Sequence, residues 1–167
     1  MAIDTTNRTE VENHLWDEIE GAHLGMLGVM MGGPRHFQPM TPFCERENGR
    51  IWFFVSRTAE IVTCLGDGKQ AMFVVQAKDG RFQACIAGEL IQDHDRARID
   101  RFWNSAASAY FPHGKDDPDL TMLCFDCSDA ALWHSEAGPL KFAWELAKAN
   151  LTHTRPDVGQ RSSINLS

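Results

Sequence analysis

A chain of 167 residues with 43% hydrophobic content is long enough to bury one substantial core and needs no second domain. Its 23 acidic against 16 basic side chains leave a formal charge of −7, which argues against a sequence-independent nucleic-acid binder and favours a small-molecule partner. No apolar run approaches the ~20 residues that span a bilayer, and an odd number of cysteines leaves at least one thiol unpaired, so a cytoplasmic protein with reduced cysteines and no membrane partner is expected.

Residues 1–8 are polar and without pattern, and read as a disordered lead. Thr9 and Glu12 have the spacing of a capping box, and Val11, Leu15, Trp16 and Ile19 recur at helical intervals, which predicts a helix over 10–21 ended by Gly21. Residues 23–31 read as a buried strand, closed by the loop signal of Gly32, Gly33 and Pro34.

Segments 34–43 and 51–56 then read as antiparallel neighbours across a tight turn at Asn48 and Gly49, residues that tolerate positive φ. Trp52, Phe53 and Phe54 stand in a row, so the second segment is apolar on both faces and belongs near the centre of the sheet. Alternation sends Trp52, Phe54 and Ser56 to one side and Ile51, Phe53 and Val55 to the other. At Arg57 the strand turns into a short helix capped by Thr58, holding Ile61, Val62 and Leu65 and stopped at Gly66. A helix start aims unpaired N–H groups outward; beside an aromatic wall and the Pro39-Met40 pair, it suits a flat ring with a phosphate tail.

Strands over 71–76 and 82–91 flank a turn at Asp79 and Gly80. Asp93 caps a helix over 94–103, with Ile99, Phe102 and Trp103 inward and Arg96, Arg98 and Arg101 outward. Residues 110–119 are rich in turn formers, 120–126 and 130–134 read as a sixth and a seventh strand, and Pro139 opens a last helix to about Asn150. Many short strands, with helices mostly at the ends, predict a mainly β chain: a small antiparallel barrel with appended helices. A single domain covers 1–151, and the polar, aperiodic stretch 152–167 reads as a tail.

The chain carries no Gly-rich phosphate loop, nucleophile elbow or triad, so no catalytic side chain is assigned. Cys124 and Cys127 have the spacing of a redox or zinc pair, but no second pair accompanies them, and their odd separation on a strand puts the sulfurs on opposite faces. Cys124 reads as a buried structural thiol, and no metal site is expected. His113 with Lys115, Asp116 and Asp117 reads as a charged turn.

Several motifs resemble, in order and spacing, the general stress protein 26 branch of the pyridoxamine 5'-phosphate oxidase-like superfamily. They are residues 15–19 ahead of the first strand, Gln38-Pro39-Met40, Ile51 to Phe54, the 95–104 segment around Arg96, Arg98 and Trp103, and the 110–118 turn. The resemblance covers about residues 10–135. It implies a split β-barrel of six to seven mostly antiparallel strands that dimerises through its barrel faces, with two FMN sites (FAD being the alternative flavin) built from both subunits. The family's flavin positions fall on Gln38, Pro39 and Met40, on Phe54, Val55 and Ser56, and on Arg57, Thr58 and Ala59. Departures stand among them: Gln38 and Val55 replace the usual Arg and Thr, and Ala59 and Ile61 replace Ser and a basic residue. Each removes a phosphate or ribityl contact, and Glu60 adds a nearby anion. Arg35, Arg57, Lys69 and Lys115 are the candidates to compensate. Two functions follow: a homodimeric, FMN-dependent oxidoreductase with a stress-related role and no assigned substrate, or a split-barrel dimer that has lost tight flavin binding and serves as a small-ligand or interaction module.

Overall fold

The structure, a computed structural model, describes residues 7–135, 139–152 and 159–166, the side chains of 139–142 excepted, and among these every strand pairing is antiparallel. The chain runs α1 (Arg8–Ala22), β1 (Gly25–Val29), β2 (Gln38–Met40), β3 (Phe43–Glu45), β4 (Arg50–Ser56), α2 (Glu60–Thr63), β5 (Lys69–Gln76) and β6 (Phe82–Asp93). It continues through α3 (Arg96–Phe102), α4 (Ser105–Tyr110), β7 (Leu120–His134), α5 (Pro139–Thr152) and β8 (Gln160–Asn165). The strands order as β2-β1-β5-β6-β7-β4-β3, with β8 on β7, in one curled sheet that forms a split barrel. No helix among the described residues is long and apolar enough to cross a membrane.

Two cores result. In the larger, Val11, Leu15, Trp16 and Ile19 of α1 pack with Leu27, Ile51, Phe53, Phe73, Ile86 and Phe125. The smaller sets Trp52, Met122 and Cys124 against Ile99 and Phe111, with Phe43, Phe54, Phe102 and Trp103 alongside. The strand alternation expected for β4 is therefore observed: Ile51, Phe53 and Val55 enter the larger core, Trp52 and Phe54 the smaller. That strand is walled on both faces, yet it lies one position from the sheet edge; β6 and β7 are the central strands.

Several boundaries differ from expectation for identifiable reasons. The cap of α1 is Asn7, whose side chain accepts from Thr9 N–H, in place of the Thr9 capping box, and Arg8 is already helical; residues 1–6 of the expected lead lie outside the described residues. Segment 34–43 is not one strand: β2 pairs with β1, and only β3 pairs with β4. The β3–β4 link is a 3₁₀ turn at Arg46–Asn48 closed by Gly49, which alone takes positive φ (64°), so it is no two-residue turn.

The expected sixth and seventh strands are a single strand, β7, bulged at Ser128 where Gly88 faces Cys127 and Ala87 faces Asp129. Its first half pairs with β4, and its second half with β8, on the same edge. The C-terminal stretch thus supplies a strand where a tail was expected. Its segment holds one apolar residue, the buried Ile164, so no alternation announced it. Arg98 and Arg101 stay partly exposed, as expected, yet both also reach Glu45, which is 2% exposed.

Candidate functional site

The C-terminal end of β4, the β2 strand and α4 enclose a cleft of about 500 Å³. From β2 come Pro39 and Met40, from β4 Phe54, Val55 and Ser56, and from α4 Ala106, Ala107 and Tyr110. Leu24, Thr41, Phe43, Phe111 and Asp119 complete it. The aromatic wall is braced from behind: Phe54 meets Phe43 edge-on at 5.2 Å and Trp103 at 5.7 Å between ring centroids, contacts that favour a fixed ring orientation.

Helix α4 brings small side chains to the opposite wall. Asn104 caps it, accepting from Ala107 N–H at 2.9 Å, and Ala107 is buried beneath it. It falls partly within the stretch expected as turn. The Asn104 cap followed by Ser105, Ala106 and Ala107 was the available signal.

At the polar end, Ser56 Oγ donates to Asp119 Oδ1 at 2.8 Å. Since that spends the Ser56 proton, the Thr58 hydroxyl, 2.8 Å away, donates to Ser56, as does Thr58 N–H at 3.2 Å. Thr58 is therefore not the cap of α2; the cap position is Ala59, which has no side-chain bond to offer, and α2 is only four residues long. Arg57 is anchored by its backbone N–H to Asp119 O at 2.7 Å and by Nε to Pro118 O at 2.9 Å, with its side chain exposed and its Nη groups unpaired among the described residues. The 113–119 loop is itself held by Asp117, which accepts from Asp119 N–H and His113 N–H. Those backbone bonds, Asp119 foremost, and the His113 ring hold the Asp117 carboxyl below its ordinary range.

Of the positions singled out in the sequence, Pro39, Met40, Phe54, Val55 and Ser56 line the cleft, while Arg57 and Thr58 follow directly at its polar end and Gln38 lies outside the lining. Among the compensating cations, Lys115 is engaged with Asp100 at 2.7 Å, while Arg35 and Lys69 have no ionic partner among the described residues. Ile61, where the family has a basic residue, is 1% exposed and belongs to the core. The residues not foreseen are Asp119 and the α4 wall.

The thiols lie elsewhere. Cys124 sits in the smaller core and Cys127 in the larger, on opposite sides of β7, and burial pushes Cys124 up to about 12 and Cys127 higher still. All five cysteines are free, and the described residues contain no cluster of metal-ligating side chains.

The sequence pattern of the family described as "Pyridoxamine 5'-phosphate oxidase like" matches residues 10–157. Comparison with curated proteins finds no match. Among solved structures, one described as a general stress protein 26 from Jannaschia sp. CCS1 superposes with a TM-score of 0.76 at 30% identity, over 95% of this chain and 99% of that one. A general stress family protein from Xanthomonas campestris pv. campestris gives 0.74 at 32% identity, over 83% and 93%. The general stress FMN/FAD binding protein of Xanthomonas citri gives 0.73 at 32% identity, over 78% and 92%. With its split barrel and a match over nearly its whole length, the chain belongs to the pyridoxamine 5'-phosphate oxidase-like family, in the general stress protein 26 branch.

Proposed function

We propose that the protein is a flavin-binding homodimer that works as an oxidoreductase with a stress-related role, and that its flavin is FMN rather than FAD. The observation that carries this reading is the convergence of Pro39, Met40, Phe54, Val55 and Ser56 on one apolar, aromatic-walled cleft. Its volume of about 500 Å³ lies within the range of about 300–1,000 Å³ usual for small-molecule sites. The 32% identity to a protein described as FMN/FAD binding adds support.

The residues present fit a flavin. Phe54 and Met40 offer apolar surface to a ring system, and the unpaired Nη groups of Arg57, beside the polar end, offer the bidentate donor geometry a phosphate takes. Thr58 stands at that end, its hydroxyl 2.8 Å from Ser56 Oγ. Once bound, a flavin supplies hydride chemistry that no side chain of this protein supplies. The chain's own part is to orient the ring by the braced Phe54, to hold the phosphate at Arg57 and to keep water out with the α4 wall.

Dimerisation is supported by an outward-facing apolar row. Met26, Val74, Cys85 and Ala131 stand in register across β1, β5, β6 and β7, and Met26, Met30 and Met31 are exposed. A second copy seated there buries that face. The free thiols fit a cytoplasmic location.

A second reading, a split-barrel dimer without tight flavin binding, is favoured by Asp119 and Glu60 near the place of the phosphate and by the Ser56 and Thr58 protons already being committed. Colour and titration separate the two. The first reading expects a yellow purified protein whose released chromophore is FMN, and expects Arg57→Ala to weaken FMN binding about tenfold or more through loss of a charge-assisted hydrogen bond. A colourless protein that does not bind FMN leaves the second reading, and an unchanged Kd removes Arg57 from the site.

A further inference from the structure

Helix α5 is the element that its own barrel leaves bare. Of its ten described side chains, 143 to 152, eight are exposed, none is buried and none enters either apolar core. Trp144 is 67% exposed and Leu151 83%. Seven residues apart, they stand nearly two turns from each other on one face, with Ala147 between them. A helix of 14 residues is marginal in water on its own, and draws its stability from what packs on its apolar face.

Area and continuity identify the cover. A stable dimer buries roughly 1,600 Å², about 800 Å² on each side. The outward row supplies little of that, since Val74, Cys85 and Ala131 are half-buried and only Met26 is exposed. Beyond Ala131 the same side of β7 runs on through Trp133, 40% exposed, toward the start of α5 at Pro139. Beyond β1, at the other side of the row, stand Met30 and Met31, 49% and 83% exposed, flexible thioethers of the kind that mould to an apolar helix. Because β1 and β7 run in opposite directions, the chain leaves for α5 and for the methionine pair at diagonally opposite corners of one face. A two-fold axis in the plane of that face brings each corner onto its counterpart in a second copy.

We propose that α5 is an arm exchanged between two copies of this chain, with Trp144 and Leu151 of one copy seated on Met30 and Met31 of the other. The inference rests on the homodimer of the proposed function and not on its flavin.

The test is analytical ultracentrifugation of the full-length protein as purified, over a dilution series. The wild type is expected to dimerise. Trp144→Ala with Leu151→Ala, and separately Met30→Ala with Met31→Ala, are each expected to raise the dimer Kd about tenfold or more, the worth of a buried interface anchor. All four changes together are expected to raise it by less than the product of the two effects, because both pairs break one contact. Alanine is the best helix former, so α5 itself keeps its helix, as circular dichroism checks. A wild-type monomer removes the homodimer and this inference together. A wild-type dimer whose Kd ignores the α5 pair removes this inference alone, and effects that simply multiply remove it too, by placing helix and methionines in separate contacts. An unchanged Kd with a lowered Tm gives the helix to the chain's own barrel, and an unchanged Kd with α5-dependent flotation on phosphatidylglycerol vesicles gives it to a membrane surface; either overturns the proposal.

Discussion

At the scale of single residues, Glu45 shows how burial assigns a task to a side chain. Trp52 Nε1 donates to its Oε2 at 3.0 Å, Arg101 Nη1 to its Oε1 at 3.1 Å, and Arg98 stands 3.4 Å from the same oxygen. Arg98 also stacks over the Trp52 ring at 5.4 Å. The carboxylate therefore ties α3 to β3 and β4, behind the Phe43–Phe54–Trp103 brace of the cleft. Breaking a buried ion pair costs about 3–5 kcal/mol, and the partial exposure of both arginines lowers that figure. Glu45→Ala is expected to lose about 2–3 kcal/mol in urea unfolding, and a loss within error of zero would show that the network is ornamental. In the sequence Glu45 adjoins a polar turn, and nothing local marks it as buried. Asp119 escaped notice likewise, since a loop acid after Pro118 carries no sign that it meets Ser56, 63 positions earlier.

At the scale of elements, legibility follows the range of the forces involved. Helix α1 showed in Val11, Leu15, Trp16 and Ile19, because an amphipathic face repeats locally. The β5–β6 hairpin showed in Asp79 and Gly80, where the glycine takes φ 71°. The division of 34–43, the continuity of β7 and the existence of β8 depend on which distant edge is open, and β7 recruits β4 and β8 along one side. Helix α4, with Ala107 as its one buried residue, has no apolar stripe to read. The β7 bulge is enforced by Gly88: an added Cβ would lie 2.3 Å from Asp126 O. Gly88→Ala is expected to cost about 1–3 kcal/mol by overpacking, read as a lowered Tm, and an unchanged Tm would mean that the strands shift freely there.

At the scale of the whole molecule, α1 closes the larger core against strands distant in sequence, and His14 marks that contact. Its ring lies edge-on to Phe82 at 5.0 Å and to His134 at 5.6 Å. Burial, helped by His134 and opposed by Glu18 and Asp17, holds its pKa below the ordinary 6.5. Above 6.5 the folded and unfolded chains are both neutral at this ring. As pH falls below that value the unfolded chain takes up a proton that the folded one resists, so stability declines until the folded pKa is passed. His14→Gln is expected to flatten the dependence of Tm on pH in that window, and an unaltered slope would place the proton uptake elsewhere.

The cleft between β2, β4 and α4 gathers the residues on which the flavin reading rests, and filling that cleft is the most direct test of what it holds. In an FMN titration followed by flavin fluorescence, the wild type is expected to quench the flavin saturably at one equivalent per chain, while Ala106→Trp, which projects an indole from the α4 wall, abolishes the quenching without lowering Tm. Quenching by Ala106→Trp equal to that of the wild type, or no saturation by the wild type itself, would contradict the assignment.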